Sequence, residues 1–179
     1  MRFALSLGAN VGDALGTLRE AVAEIAALPG VVVTGVSSVY RTAPVGGVEQ
    51  DDFCNLVVVG DTALPPRDLS AAVHRIEDAH GRTREVRWGP RTLDIDVLAV
   101  GDLRSDDPEL ILPHPRAHER AFVLVPWAEV DPAAELPGRG RVADLAGAID
   151  AAGVRRLPGV DVQPKPGERT PADEGDRQP

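Results

Sequence analysis

The hydrophobic pattern divides the first hundred residues into alternating strands and helices. Residues 2–8, Arg-Phe-Ala-Leu-Ser-Leu-Gly, predict a first strand, and Gly8 to Asp13 predict a turn. Asp13 is placed to cap a helix, on which Leu15, Leu18, Val22 and Ile25 form one apolar stripe. Pro29-Gly30 ends it. A β-branched run over 31–40 predicts a second strand, and Arg41 to Gly47 begin a long loop. A third strand over 52–60 places Phe53, Asn55, Val57 and Val59 on one face and Cys54, Leu56 and Val58 on the other. Pro65-Pro66 opens a second helix with Leu69, Val73 and Ile76 as its buried stripe and Gly81 at its end. Glu77 and His74 lie off that stripe and read as a solvated face. A fourth strand runs into Val97–Val100.

Beyond it, Phe122–Trp127 is an apolar core segment, and Val142, Leu145 and Ile149 predict a last short helix. From about 158 the chain is rich in proline, glycine and charge without periodicity, which predicts a disordered tail after a domain spanning 1–157. The order β-α-β-β-α-β is that of an α+β, ferredoxin-like fold, an antiparallel sheet with two helices on one face, followed by C-terminal additions.

The fourth strand is preceded by the stretch with the most chemistry, Arg82-Thr-Arg-Glu-Val-Arg-Trp-Gly-Pro-Arg-Thr-Leu-Asp-Ile-Asp96. Asp94 and Asp96 alternate with Leu93, Ile95 and Val97, so both carboxylates share the face opposite the apolar side chains. Two strand positions separate Cα atoms by about 6.6–7 Å. Carboxylates so spaced suit one divalent ion, or two ions about 3.5–4 Å apart. An all-oxygen site completed by substrate phosphates suits magnesium. Arg82, Arg84, Arg87 and Arg91 supply fixed positive charge for those phosphates. Asn55 is the polar exception on an apolar strand. It reads either as a satisfied structural amide or as a group pairing with a ligand's ring edge while Phe53 covers the ring face.

Composition narrows the class. The 179 residues carry a net charge of −9, which argues against a nonspecific nucleic-acid surface. Lys165 is the only lysine and no P-loop motif is present, so phosphates fall to arginine and metal. One cysteine, Cys54, excludes an intrachain disulfide and a multi-cysteine zinc site and suits a reducing, cytoplasmic compartment. No apolar run reaches transmembrane length, and a monomer free of the membrane is expected. His114 and His118 are spaced i, i+4, yet Pro115 and the absence of H-E-x-x-H disfavour zinc. From the residues alone, three classes stay open: a phosphoryl-transfer enzyme, a magnesium-dependent phosphohydrolase and a non-catalytic binding module.

Tyr40-Arg-Thr42, Phe53-x-Asn55, Arg82-x-Arg84, Arg87-Trp88-Gly-Pro-Arg91-Thr-Leu-Asp94-Ile-Asp96, Pro113-His114 and Arg120-x-Phe122 occur in that order. Together they resemble the 6-hydroxymethyl-7,8-dihydropterin pyrophosphokinases of folate biosynthesis, over about residues 2–150. The resemblance implies transfer of pyrophosphate from ATP to the pterin's hydroxymethyl oxygen, with AMP released. It implies two Mg²⁺ ions on Asp94 and Asp96, and phosphate neutralisation by Arg82, Arg84, Arg87 and Arg91, with Arg82 and Arg91 acting on the transition state. His74, Glu77, His114 and Arg120 would contact nucleotide. Phe53 and Phe122 would sandwich the pterin, Asn55 would read its edge, Thr42 and Val45 would offer backbone contacts, and Trp88 would close over the site. Two departures stand out: Ala43 where the family often has proline, and Phe53 where some members have tyrosine.

Overall fold

The structure, a computed structural model, describes residues 1–44, 50–81 and 91–164. Its centre is β1 (Arg2–Ala9), paired antiparallel on one side with β4 (Phe53–Thr62) and on the other with β5 (Asp94–Val100). Beyond β4 lie two shorter strands in tandem, β2 (Val31–Val36) and β3 (Tyr40–Thr42), each antiparallel to a different part of it. The single strand expected over 31–40 is therefore interrupted. The cause is Ser37: its N–H donates to Val57 O at 2.9 Å, and its Oγ accepts the Val57 N–H at 2.9 Å. A side-chain oxygen has replaced one backbone acceptor of the ladder, and regular pairing resumes only at Tyr40. A late strand, β10 (Val154–Arg156), adds antiparallel to β3 and completes the order β10-β3-β4-β1-β5.

The two faces are covered by different helices. Leu5, Leu7, Leu56, Val58, Ile95 and Val97 pack against Leu18, Val22 and Ile25 of α1 (Ala14–Ala27) and Leu69, Val73 and Ile76 of α2 (Pro66–Ala79). Asp13 caps α1 as expected, its Oδ1 accepting the Gly16 N–H at 3.0 Å, and Gly81 ends α2 in the left-handed region at φ 71°. The opposite face presents Ala4, Val57, Val59 and Leu98 to α3 (Ala121–Val130), whose Val123, Leu124 and Trp127 are buried. This helix is the segment whose hydrophobic run gave no helical stripe. It is apolar almost all round, as suits a helix sandwiched between a sheet and further chain, so periodicity carries no signal there. Pro126 inside it conceals it further.

Smaller pieces follow the same sheet. Hairpin β6 (Ser105–Asp107) and β7 (Leu110–Leu112) precedes α3; hairpin β8 (Glu135–Leu136) and β9 (Gly140–Arg141) leads into α4 (Val142–Ala148), with Ile149 as its C-cap. The first residues of the expected tail lie against the body. Val162 is buried in the core, Gln163 Nε2 donates to Val36 O at 2.9 Å, and Arg19 Nε donates to Asp161 O at 2.8 Å. Val45, Arg82, Arg84, Arg87 and Trp88 lie outside the described residues, as does the chain from 165 onward.

Candidate active site

Registry across the sheet assembles the site. Asn55 on β4 stands opposite Gly8 on β1, which stands opposite Asp94 on β5; one pair further along, Val57, Ser6 and Asp96 form the next row. Directly paired antiparallel residues point to the same face, so Asn55, Asp94 and Asp96 all project on the side that α3 covers. Helix α3 covers only the Ala4, Val57 and Val59 end of that face. The Asn55–Gly8–Asp94 end is left open as a cavity of about 440 Å³, to which Arg120 and Phe122 contribute from the start of α3. Small residues on β1 are what make the floor. A β-carbon on Gly8 would stand 2.8 Å from Asn55 Oδ1, too close without displacing the amide.

One end of the cavity is charged. Arg120 Nη1 lies 2.9 Å from Asp96 Oδ2, and Arg91 Nη1 lies 3.8 Å from Asp94 Oδ1. His114 Nε2 lies 3.7 Å from the same Asp96 oxygen. Its Nδ1 accepts the Arg116 N–H at 3.1 Å, so Nε2 carries the proton in the neutral ring and faces the carboxylate. Burial lowers the His114 pKa from its ordinary value, opposed in part by Asp96. What brings His114 here is an irregularity in β5. The pairing with β1 shifts register between Ala4 and Leu5, leaving Leu98 as an extra residue, and Leu98 O accepts the His114 N–H at 2.8 Å.

The other end is aromatic and amide-lined. Phe53 and Phe122 border it, and the Arg120 guanidinium lies 5.7 Å over the Phe122 ring. Asn55 is 5% exposed, and its Nδ2 donates to Thr42 Oγ1 at 2.8 Å. The amide is thus held by a side chain, not by neighbouring backbone. Among the described residues its Oδ1 accepts no hydrogen bond.

Thr42, Phe53, Asn55, Arg91, Asp94, Asp96, Arg120 and Phe122 all line this one cavity, and His114 stands directly behind Asp96. Two residues of α2 do not join them. His74 is half exposed, with Nε2 3.9 Å from Glu77 Oε2. Glu77, expected on a solvated face beside nucleotide, is instead 1% exposed, and its Oε1 accepts the Ile95 N–H at 2.6 Å. Glu77 thus anchors the strand between the two aspartates and is not among the described residues that line the cavity. No three described His, Cys, Asp or Glu residues form a cluster able to hold a metal by themselves.

Sequence reasoning passed over Asn10, Gly153 and Val154. Asn10 is 6% exposed; its Oδ1 accepts the Arg91 N–H at 2.8 Å while its Nδ2 donates to Gln50 Oε1 and Asp51 O, each at 2.9 Å. It therefore ties Arg91 to the entry of β4. An asparagine in a Gly-Ala-Asn turn carries no signal for such long-range bonding. Gly153 and Val154 line the cavity from beyond the segment that the motifs span.

The family model described as 7,8-dihydro-6-hydroxymethylpterin-pyrophosphokinase (HPPK) matches residues 4–132. The chain belongs to the HPPK family. It is 45% identical over 153 residues to the 2-amino-4-hydroxy-6-hydroxymethyldihydropteridine pyrophosphokinase of Methylorubrum extorquens, covering 86% of this chain and 96% of that one. It is 48% identical over 126 residues to the enzyme of the same name from Bacillus subtilis, covering 70% and 75%. Among solved structures, a Plasmodium falciparum HPPK-DHPS with pterin and p-hydroxybenzoate is similar at a TM-score of 0.67 and 14% identity, covering 87% of this chain and 46% of that one. The wild-type P. falciparum HPPK-DHPS is similar at a TM-score of 0.62 and 14% identity, covering 82% and 44%. The chain thus spans less than half the length of these two solved structures, and at such identity they show the fold alone. HPPK membership makes the chain a pyrophosphokinase of folate biosynthesis.

Proposed function

We propose that this HPPK transfers the terminal pyrophosphoryl group of ATP to the hydroxymethyl oxygen of 6-hydroxymethyl-7,8-dihydropterin, and that the described cavity is where it does so. One observation carries the reading. The amide oxygen of Asn55, which accepts no hydrogen bond among the described residues, and the paired carboxylates of Asp94 and Asp96 share one face of the sheet, with Gly8 between Asn55 and Asp94. Two strand spacings separate the outer strands by about 10 Å. That is room for a ring at one end and phosphates at the other. Phe53 and Phe122 suit the faces of a flat heterocycle, and the Asn55 amide suits its donor edge.

In the proposed reaction the hydroxymethyl oxygen bonds to the β-phosphorus as the bond from that phosphorus to the α,β-bridging oxygen breaks. AMP leaves with the bridging oxygen, and the hydroxyl proton passes to solvent. Phosphoryl transfer asks chiefly for alignment and charge stabilisation. Arg91 and Arg120 stand where they can exchange their aspartate partners for phosphate oxygens. His114 turns its Nε2 edge toward Asp96 Oδ2 at 3.7 Å, while its Nδ1 is held by the Arg116 N–H. The carboxylate pair, all oxygen and each about one-third exposed, fits magnesium completed by phosphate ligands. Bound on Asp94 and Asp96, two such ions would neutralise triphosphate charge and polarise the phosphorus under attack. From the sequence, Arg82, Arg84, Arg87 and Trp88 would complete the phosphate and ring contacts, Val45 a backbone contact and His74 a nucleotide contact. The ferredoxin-like reading is supported by the order of β5, β1, β4 and β2, each pair antiparallel. We further propose a cytoplasmic monomer, which the single cysteine suits.

The test is product analysis. The chain is incubated with Mg-ATP, with and without the hydroxymethyl pterin, and the nucleotides are resolved. AMP that appears only with pterin supports the reading. Phosphate release independent of pterin would mean a hydrolase, and no turnover with intact ligand binding would mean a binding module.

A further inference from the structure

We infer that the C-terminal strand is a specificity-determining wall of the pterin end of the cavity, and that Gly153 sets the width open to the ring. The inference rests on the function proposed above. The family match ends at residue 132, yet Gly153 and Val154 line the cavity. Val154 on β10 stands opposite Thr42 on β3, and Thr42 stands opposite Phe53 on β4. These three therefore form one row on the site face, and Thr42 in turn holds the Asn55 amide at 2.8 Å.

The wall is fixed to both of its neighbours. Arg156 Nε donates to Ser38 Oγ at 2.7 Å, the Ser38 hydroxyl donates to Glu129 Oε1 at 2.7 Å, and Leu157 N–H donates to Val39 O at 2.8 Å. Tyr40 OH donates to Glu129 Oε2 at 2.5 Å. Glu129 belongs to α3, whose first turn holds Phe122, so one carboxylate links β3, β10 and the helix carrying an aromatic face. Gly153 enters the strand from a turn closed by Val154 N–H to Ala151 O at 2.9 Å.

Among the described residues nothing asks for glycine there. Gly153 is not among the glycines at positive φ, and a β-carbon built on it meets no described atom within 4 Å. Gly8 shows the contrast: there a β-carbon would strike Asn55. A glycine that neither the backbone nor packing requires, on the wall of a ligand cavity, points to space kept for the ligand. Side chains added at 153 would narrow the ring site and leave the body as it is.

The experiment measures binding and turnover for the full chain and for Gly153→Ala and Gly153→Leu. Calorimetry gives the affinity of each for the pterin and, separately, for a non-hydrolysable Mg-ATP analogue. Gly153→Leu should weaken pterin binding about tenfold or more, with a smaller loss for Gly153→Ala and nucleotide affinity held within about twofold. Both variants should keep the wild-type thermal midpoint. Unchanged pterin affinity in both, while the wild type forms pterin-dependent AMP, would overturn this inference alone. Equal losses for both ligands, or a lowered midpoint in Gly153→Ala, would assign Gly153 to the fold and overturn it too. A wild type that forms no pterin-dependent AMP would overturn the proposed function, and the inference with it.

Discussion

Replacing Glu77 tests whether a strand between two aspartates is held by a helix. Among the described residues β5 ends the sheet, and the Ile95 N–H turns away from β1 to a side where none of them forms a further strand. The Glu77 carboxyl oxygen, 2.6 Å away, takes the place of that strand. Both groups are sealed from water, so Glu77→Ala leaves a buried N–H unpaired and removes the side chain that filled the space. A hydrogen bond to a carboxylate contributes about 1.5–3 kcal/mol, and with the vacated volume the loss should be about 2–4 kcal/mol. For a chain of this size that lowers the thermal midpoint by roughly 5–15 °C. Glu77→Gln keeps an amide oxygen facing Ile95 and should lose only about 1 kcal/mol.

Turnover should follow the same order. Asp94 and Asp96 flank Ile95, and misplacing reacting groups by about 1 Å costs up to about a hundredfold. At a temperature where both variants are folded, Glu77→Ala should lose about tenfold or more in kcat, and Glu77→Gln should stay within about threefold. Calorimetric melting and steady-state assays on the three proteins decide it. A Glu77→Ala protein that melts like wild type but binds Mg-ATP poorly would refute the reasoning, because it would make Glu77 a ligand contact and not an anchor.

Three further outcomes are expected. Asp96→Asn should cut turnover about a hundredfold or more while the fold holds, since the Arg120 ion pair it weakens is partly exposed and worth about 1 kcal/mol or less; near-normal turnover would remove the metal assignment. Asn55→Ala should weaken pterin binding by about 0.5–1.5 kcal/mol for each ring-edge hydrogen bond lost and spare Mg-ATP; equal calorimetric losses for both would make Asn55 structural. Tyr40, the sole tyrosine, is pushed up to about 12 by burial and by its hydrogen bond to Glu129. Its neutral phenol therefore adds stability that is whole below pH 10 and is lost as pH rises from there through about 12. Tyrosinate absorbance with a midpoint near 10 in the folded protein would contradict this, and Tyr40→Phe should flatten the alkaline stability loss.

What the sequence disclosed and what it hid divide along physical lines. Period-two alternation on β4 assigned every side chain from Phe53 to Val59 to the face it occupies, because each face is buried against a different helix set. The stripes of α1 and α2 were legible for the same reason, since each helix has one dry side. Helix α3 was not, because both of its sides are covered and contrast vanishes. Glu77 was misread as solvated because a charged residue off the apolar stripe usually faces water. The edge N–H of Ile95 that holds it lies 18 residues away and leaves no local mark. The cavity residues named by motif came together because registry about one glycine, Gly8, unites three strands. Asn10 escaped notice because its bonds join residues 40 and 81 positions distant, a relation that only the folded chain creates.

The charge arrangement also bears on the order of events in the site. Without ligand, Asp96 is already neutralised by Arg120 at 2.9 Å, with the His114 N–H end 3.7 Å from the same oxygen, and Asp94 faces Arg91 at 3.8 Å. A cation alone must displace arginines from their carboxylates, and a bare triphosphate must meet arginines already paired with carboxylates. When both arrive together the exchange balances. The phosphates take Arg91 and Arg120, and the freed aspartates take the cation. The partly exposed positions of these side chains keep each individual trade small, within the modest range of solvent-screened pairs. Mg-ATP should therefore bind much more tightly than ATP and magnesium bind separately. The gap should shrink in Arg120→Ala, where Asp96 is open to a cation beforehand. Calorimetric titration of magnesium into the nucleotide-free Arg120→Ala protein should show tighter binding than wild type, and equal or weaker binding would mean that the Arg120–Asp96 pair does not gate the metal site.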